Sequence, residues 1–136
     1  MTPDPLEDLV PWFRTQLDVD ERIARAADDT LGKTNMDWAY QPEDELGGKV
    51  VSARGFDLIP DVTAGIGAHV AGYDPRRVLR EVAAKRAIVD DIAHEIHWGA
   101  RSNLDYQDAV DVFKRTLKRL ALPYADRPGY REEWRP

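Results

Sequence analysis

Between residues 30 and 63 the chain abandons the helical spacing that governs it on either side, and this switch of period constrains the fold more than any other feature. Asp37–Gln41 (DWAYQ), Lys49–Arg54 (KVVSAR) and Asp57–Val62 (DLIPDV) are short and are separated by PEDELGG and by Gly55-Phe56. That punctuation is what a small antiparallel meander requires. Pro60 lacks an amide hydrogen, so it fits only an edge strand or a bulge. A sheet this small cannot persist alone in water, and its apolar face must rest on helices.

The helices are legible on both sides. Leu6, Leu9, Val10, Phe13, Leu17, Ile23, Ala24 and Ala27 recur at steps of three and four, which predicts an N-terminal helix within residues 1–29. Asp4 and Pro5 suit its cap and first turn, but Pro11 is costly deep inside a helix, so the regular helix is expected to begin near Pro11. Residues 64–122 hold the remaining helices. Thr63–Gly72 (TAGIGAHVAG) reads as a weak one because of its glycines. Asp74-Pro75 opens a stronger one whose apolar face runs from Val78 through Ile96, with Asp as cap and Pro as first residue. Ser102-Asn103 is read as the cap of the last helix, which carries Tyr106, Ala109, Val110, Phe113, Leu117 and Leu120 as a stripe and stops at Pro123.

These pieces predict an α+β fold in a single domain, residues 1–136. A small antiparallel β-meander at 30–63 packs against three to four helices, and an irregular tail at 123–136 docks on the body. The tail holds Pro123, Pro128, Pro136, Tyr124, Tyr130 and Trp134 without any regular period. Aromatic side chains bury large areas, so the tail is expected to fold back over grooves between helices. Tyr, Trp and Arg are also the residues that dominate binding hot spots, which makes Tyr124, Tyr130, Arg131 and Trp134 candidate contacts for a partner.

At 136 residues with 43% hydrophobic and 32% charged residues, the chain can bury a core without disulfides, and it has no cysteine. It shows no apolar run of membrane-spanning length, and its start is acidic where a signal peptide is basic, so a cytoplasmic location is expected. The net charge of −6 is unevenly spread: residues 1–48 carry 12 Asp and Glu against 4 Lys and Arg, and the rest 13 against 15. The basic face of the helix at 75–89, formed by Arg76, Arg77, Arg80, Lys85 and Arg86, therefore has acidic counterparts in Asp18, Asp20 and Glu21.

Leu9–Ala27 (LVPWFRTQLDVDERIARAA), Asp74–Arg86 (DPRRVLREVAAKR) and Leu120–Pro136 (LALPYADRPGYREEWRP) resemble an uncharacterised family of small proteins from actinobacteria and their phages. His69 stands where that family often has a histidine, and Tyr73 where it usually has another. Its cysteine-containing segment before the last helix is replaced here by Asp91–Arg119. The resemblance implies no activity, cofactor or catalytic residue.

Chemistry is sparse. Asp90, His94 and His97 share one helical stripe and are the candidate metal ligands, although the zincin motif places its histidines four apart and here they are three apart. Ser52 and Ser102 lack a nucleophile elbow, and Gly65-Ile66-Gly67 lacks the rest of a dinucleotide fingerprint. No catalytic residue and no cofactor are assigned. The function read from the chain is a non-catalytic accessory or protein-interaction protein of phage or mobile-element origin, acting on another protein or on a second copy of itself. A metal-dependent hydrolase at Asp90/His94/His97 and a nucleic-acid-binding module through the basic helix are the alternatives. The acidic pI weighs against nucleic acid.

Overall fold

The computed structural model describes residues 4, 6–29, 36–99 and 106–136. Its elements are α1 (Leu9–Asp29), β1 (Trp38–Pro42), β2 (Gly47–Ser52), β3 (Asp57–Thr63), α2 (Ala64–Gly72), α3 (Pro75–Gly99) and α4 (Tyr106–Ala121), followed by 3-10 turns at Leu122–Tyr124 and Glu132–Trp134. The fold class is α+β, as the periods predict. The chain divides into two compact units, one comprising Met1–Asp18 and Ala83–Pro136 and the other Val19–Val82. The first is helical and the second contains the sheet.

In the sheet unit the strand order is β1-β2-β3, antiparallel throughout. Central β2 carries Val50, Val51 and Ser52, all buried, because only the middle strand is flanked on both edges. Pro60 meets both of its demands at once. It lies on the edge strand β3, in a stretch where pairing slips between Gly48↔Val62 and Val50↔Ile59. A bulge leaves a residue outside the ladder, so the missing amide hydrogen costs no inter-strand bond.

Helix α2 packs on all three strands. Gly67 explains how a glycine-rich segment forms a helix there: a Cβ at this position would stand 2.5 Å from the Tyr40 ring and 2.8 Å from a Val62 methyl. The helix gives up propensity, and in exchange its backbone approaches the sheet closely. At the start of α3, Asp74 Oδ1 accepts the Arg77 amide at 2.9 Å and Oδ2 accepts the Trp38 amide at 3.1 Å. One side chain thus caps α3 and ties down the first residue of β1.

In the helical unit, Leu9, Phe13 and Leu17 of α1 are fully buried, as are Val89 of α3 and Leu117 and Ala121 of α4. Helix α1 begins two residues before Pro11. Pro11 therefore sits in the first turn, where amide hydrogens have no intrahelical acceptor and the one proline lacks is not missed. Asp4 Oδ1 accepts the Leu6 amide at 3.0 Å in the turn just before the helix. Arg14 bonds Asp90 at 2.8 Å and Arg86 bonds Asp18 at 2.6 Å. A step of four along α1 answers a step of four back along α3, so these stretches run antiparallel. Such exposed pairs contribute about 0–1 kcal/mol each and fix register more than stability. Helix α4 ends at Ala121 and tightens into the 3-10 turn that holds Pro123. Its proposed cap, Ser102-Asn103, lies outside the described residues.

Candidate interaction surfaces

The tail is docked, and it is less irregular than its sequence. Two 3-10 turns punctuate it, and they deliver Tyr124 and Trp134 to the interior at 4% and 1% exposure. Trp134 lies 5.3 Å from Trp12 and 5.7 Å from Tyr130, ring centre to ring centre, and Trp12 lies 5.5 Å from Tyr130. Tyr124 meets Phe13 edge-on at 5.5 Å. Polar ties close the clasp: Trp12 Nε1 donates to the Pro128 carbonyl at 3.0 Å, Arg131 pairs with Asp8 at 2.9 Å, and Arg127 donates to the Gln16 carbonyl at 3.3 Å. Gly129 has φ +88°, and a Cβ there would lie 2.8 Å from Trp12 Nε1. Only glycine lets the chain turn so close to the indole.

This geometry reassigns the candidate contacts. Tyr124 and Trp134 are core residues and present nothing to a partner while the tail is docked. The Tyr130 hydroxyl is buried without a hydrogen-bond partner among the described residues, and Arg131 remains at the surface between Asp8 and Glu133.

The candidate metal ligands do not assemble. Asp90 is engaged by Arg14, His94 and His97 are exposed, and among the described residues no three His, Asp or Glu side chains form a group able to hold a metal ion. A guanidinium already bonded to Asp90 competes for the carboxylate such a site would need. Ser52 is likewise structural: it is buried, and its Oγ accepts the Phe56 amide at 3.2 Å.

The basic residues are paired differently from the sequence reading. Arg86 does take Asp18, but Arg76 takes Asp37 at 2.6 Å and Arg77 takes Glu81 at 3.0 Å. The reason is local, since the Arg76 amide donates to the Met36 carbonyl and so stands beside Asp37. That hydrogen bond from Arg76 holds the Asp37 carboxyl below its usual range. Lys85 donates to the Tyr124 hydroxyl at 3.1 Å. Arg80 makes no hydrogen bond or ion pair among the described residues.

A surface that the sequence reading missed lies on α2 and the turn after it. Ile66 and Tyr73 are 60% and 51% exposed. His69 lies 4.9 Å from the Tyr73 ring, and the Arg77 guanidinium sits over that ring at 4.3 Å. Ile66 and His69 lie one turn apart on α2, on the side away from Gly67, which rests on the sheet, while Tyr73 follows the end of α2 and Arg77 reaches its ring from α3. The available signal was TAGIGAHVAGY itself: apolar residues on every side of a short helix predict an apolar outer face once one side is buried.

Residues 6–136 match the model of a family of unknown function. The chain belongs to DUF6221. No curated protein and no solved structure matches it. Within this DUF6221 chain, no described helix is long and apolar enough to cross a membrane.

Proposed function

We propose that this DUF6221 protein is a non-catalytic interaction domain that docks a partner protein on the outer face of α2. The observation that carries the reading is the exposed cluster in which His69 and Arg77 meet the Tyr73 ring, with Ile66 one turn before His69. An aromatic ring capped by arginine and flanked by an exposed isoleucine has the composition of binding hot spots. Arg80, one turn beyond Arg77 and without an ion pair among the described residues, favours a segment that combines apolar side chains with aspartate or glutamate. The resemblance to small actinobacterial and phage proteins supports an accessory role of this kind.

A photo-crosslinking residue at Ile66 in the native host is expected to trap a partner that then binds the purified protein directly. Tyr73→Ala with Arg77→Ala should weaken that complex at least about tenfold, and Arg80→Glu should weaken it further by charge reversal, with the melting midpoint unchanged. Equal binding by the parent and the variants overturns the reading, as does a partner that is a nucleic acid.

A further inference from the structure

The helical unit contains a cleft that the reading above does not use. Its larger hollow, about 470 Å³, has apolar walls from Leu6, Val10, Ile96 and Leu117, with Glu7 and His97 also in its lining. A second hollow of about 380 Å³ shares Asp4, Leu6 and Lys114 with the first and adds Asp111, Arg115 and Lys118. Shared lining makes the two one amphipathic trough. Volumes of this size, apolar walls and a few convergent polar groups are the usual make-up of small-molecule sites.

The charges are unequally placed along it. Lys114 is bonded to Asp4 at 2.7 Å, whereas Arg115 and Lys118 have no hydrogen bond or ion pair among the described residues. The smaller hollow thus gathers Lys114, Arg115 and Lys118 against Asp4 and Asp111, an excess of one positive charge. Asp4 responds to it: the Lys114 hydrogen bond, then the Leu6 amide, hold its carboxyl below the usual range, with Lys118 adding to the effect. Glu7 lines only the larger hollow, so an anionic head has one compatible end and an apolar body has the other.

We propose that this cleft binds a small amphiphilic carboxylate, with its hydrocarbon body on Leu6, Val10, Ile96 and Leu117 and its carboxylate at Lys114, Arg115 and Lys118. A single negative charge neutralises the excess, and hydrogen bonds from ammonium and guanidinium groups to a carboxylate are the stronger kind. The proposal stands independently of the α2 face.

Sodium octanoate titrated into the ¹⁵N-labelled full chain is the test, with 1-octanol and acetate as controls. Octanoate is expected to bind with Kd below about 1 mM and to move amide resonances in residues 6–11, 93–97 and 111–118, with octanol and acetate at least about tenfold weaker. Arg115→Ala with Lys118→Ala changes only side chains outside the core. It should weaken octanoate about tenfold while leaving octanol binding and the melting midpoint unchanged. Ala93→Phe, placed to fill the larger hollow, should abolish binding of both. No saturable shift by about 10 mM octanoate, equal binding of octanol, or undiminished octanoate binding by the double variant overturns the site.

Discussion

The tail and the outer face of α2 use the same chemistry to opposite ends. In each, an arginine lies over a tyrosine ring: Arg127 over Tyr124 at 4.6 Å in the tail, and Arg77 over Tyr73 at 4.3 Å beside α2. Yet Tyr124 is buried and Tyr73 is half exposed. The difference lies in what else is nearby. Helix α1 brings Trp12 and Phe13 to the tail, so each ring there finds another ring. Tyr73 has His69 and Arg77 and no larger aromatic neighbour in ring contact among the described residues. An arginine–tyrosine pair is therefore neutral about its own role, and the second ring decides whether it becomes core or surface.

That contrast breaks most readily at Trp134. Replacing this fully buried indole with alanine should cost about 3–5 kcal/mol in denaturant melts, whereas Tyr73→Ala should stay within about 0.5 kcal/mol. Equal losses would mean that the α2 face is covered rather than open. Next in size is Gly129→Ala, which must hold a positive φ and push against Trp12. A loss of about 1–3 kcal/mol is expected, and a neutral result would show that the clasp has slack. Both regions contain a buried tyrosine hydroxyl without a hydrogen-bond partner among the described residues, Tyr130 in the tail and Tyr40 under α2. Removing an unsatisfied buried hydroxyl relieves a desolvation penalty, so Tyr130→Phe and Tyr40→Phe should each leave stability unchanged or raise it by up to about 1 kcal/mol. A loss at either site would reveal a bound water there.

The smallest effect concerns acid. Asp4 in the helical unit and Asp37 in the sheet unit both have carboxyls held below the ordinary value of 3.8 by a basic side chain. For a lowered carboxyl the stabilisation is complete above that ordinary value and disappears as pH falls through the lower folded value. Stability measured on descending from pH 5 should therefore fall less steeply in Asp4→Asn and in Asp37→Asn than in the parent. An identical slope would show that these pairs are not formed in solution.

Much of the architecture was legible because it depends on neighbours in sequence. Gly55 announced where two strands turn, Pro60 announced an edge or a bulge, and Asp74-Pro75 announced a capped helix, whereas Gly47-Gly48, read as part of the separator before Lys49, belong to β2 itself. Pro11 marked the start of the regular helix to within two residues, because a proline's missing amide hydrogen is tolerated only in the first turn. The surfaces were harder to read. Arg76 takes Asp37 rather than Asp18 because a backbone bond to Met36 positions it, and Lys114, Arg115 and Lys118 acquire meaning only when Leu6, Val10 and Ile96 are brought beside them. Local pattern does not record such long-range placement.

The indole bond from Trp12 to Pro128 spans 116 positions of sequence, and it has a consequence for the order of events during synthesis. The sheet unit is one uninterrupted stretch, Val19–Val82, and all its contacts can form once that stretch has left the ribosome. The helical unit is interrupted, and its largest buried ring belongs to residue 134. Closing distant segments is slow, and chains wait for it with apolar surface uncovered. During that interval Leu9, Phe13 and Trp12 await partners that have not yet been made, so termination between residues 125 and 134 would leave a finished sheet joined to an unfinished helical half, the kind of product that chaperones and proteases recognise.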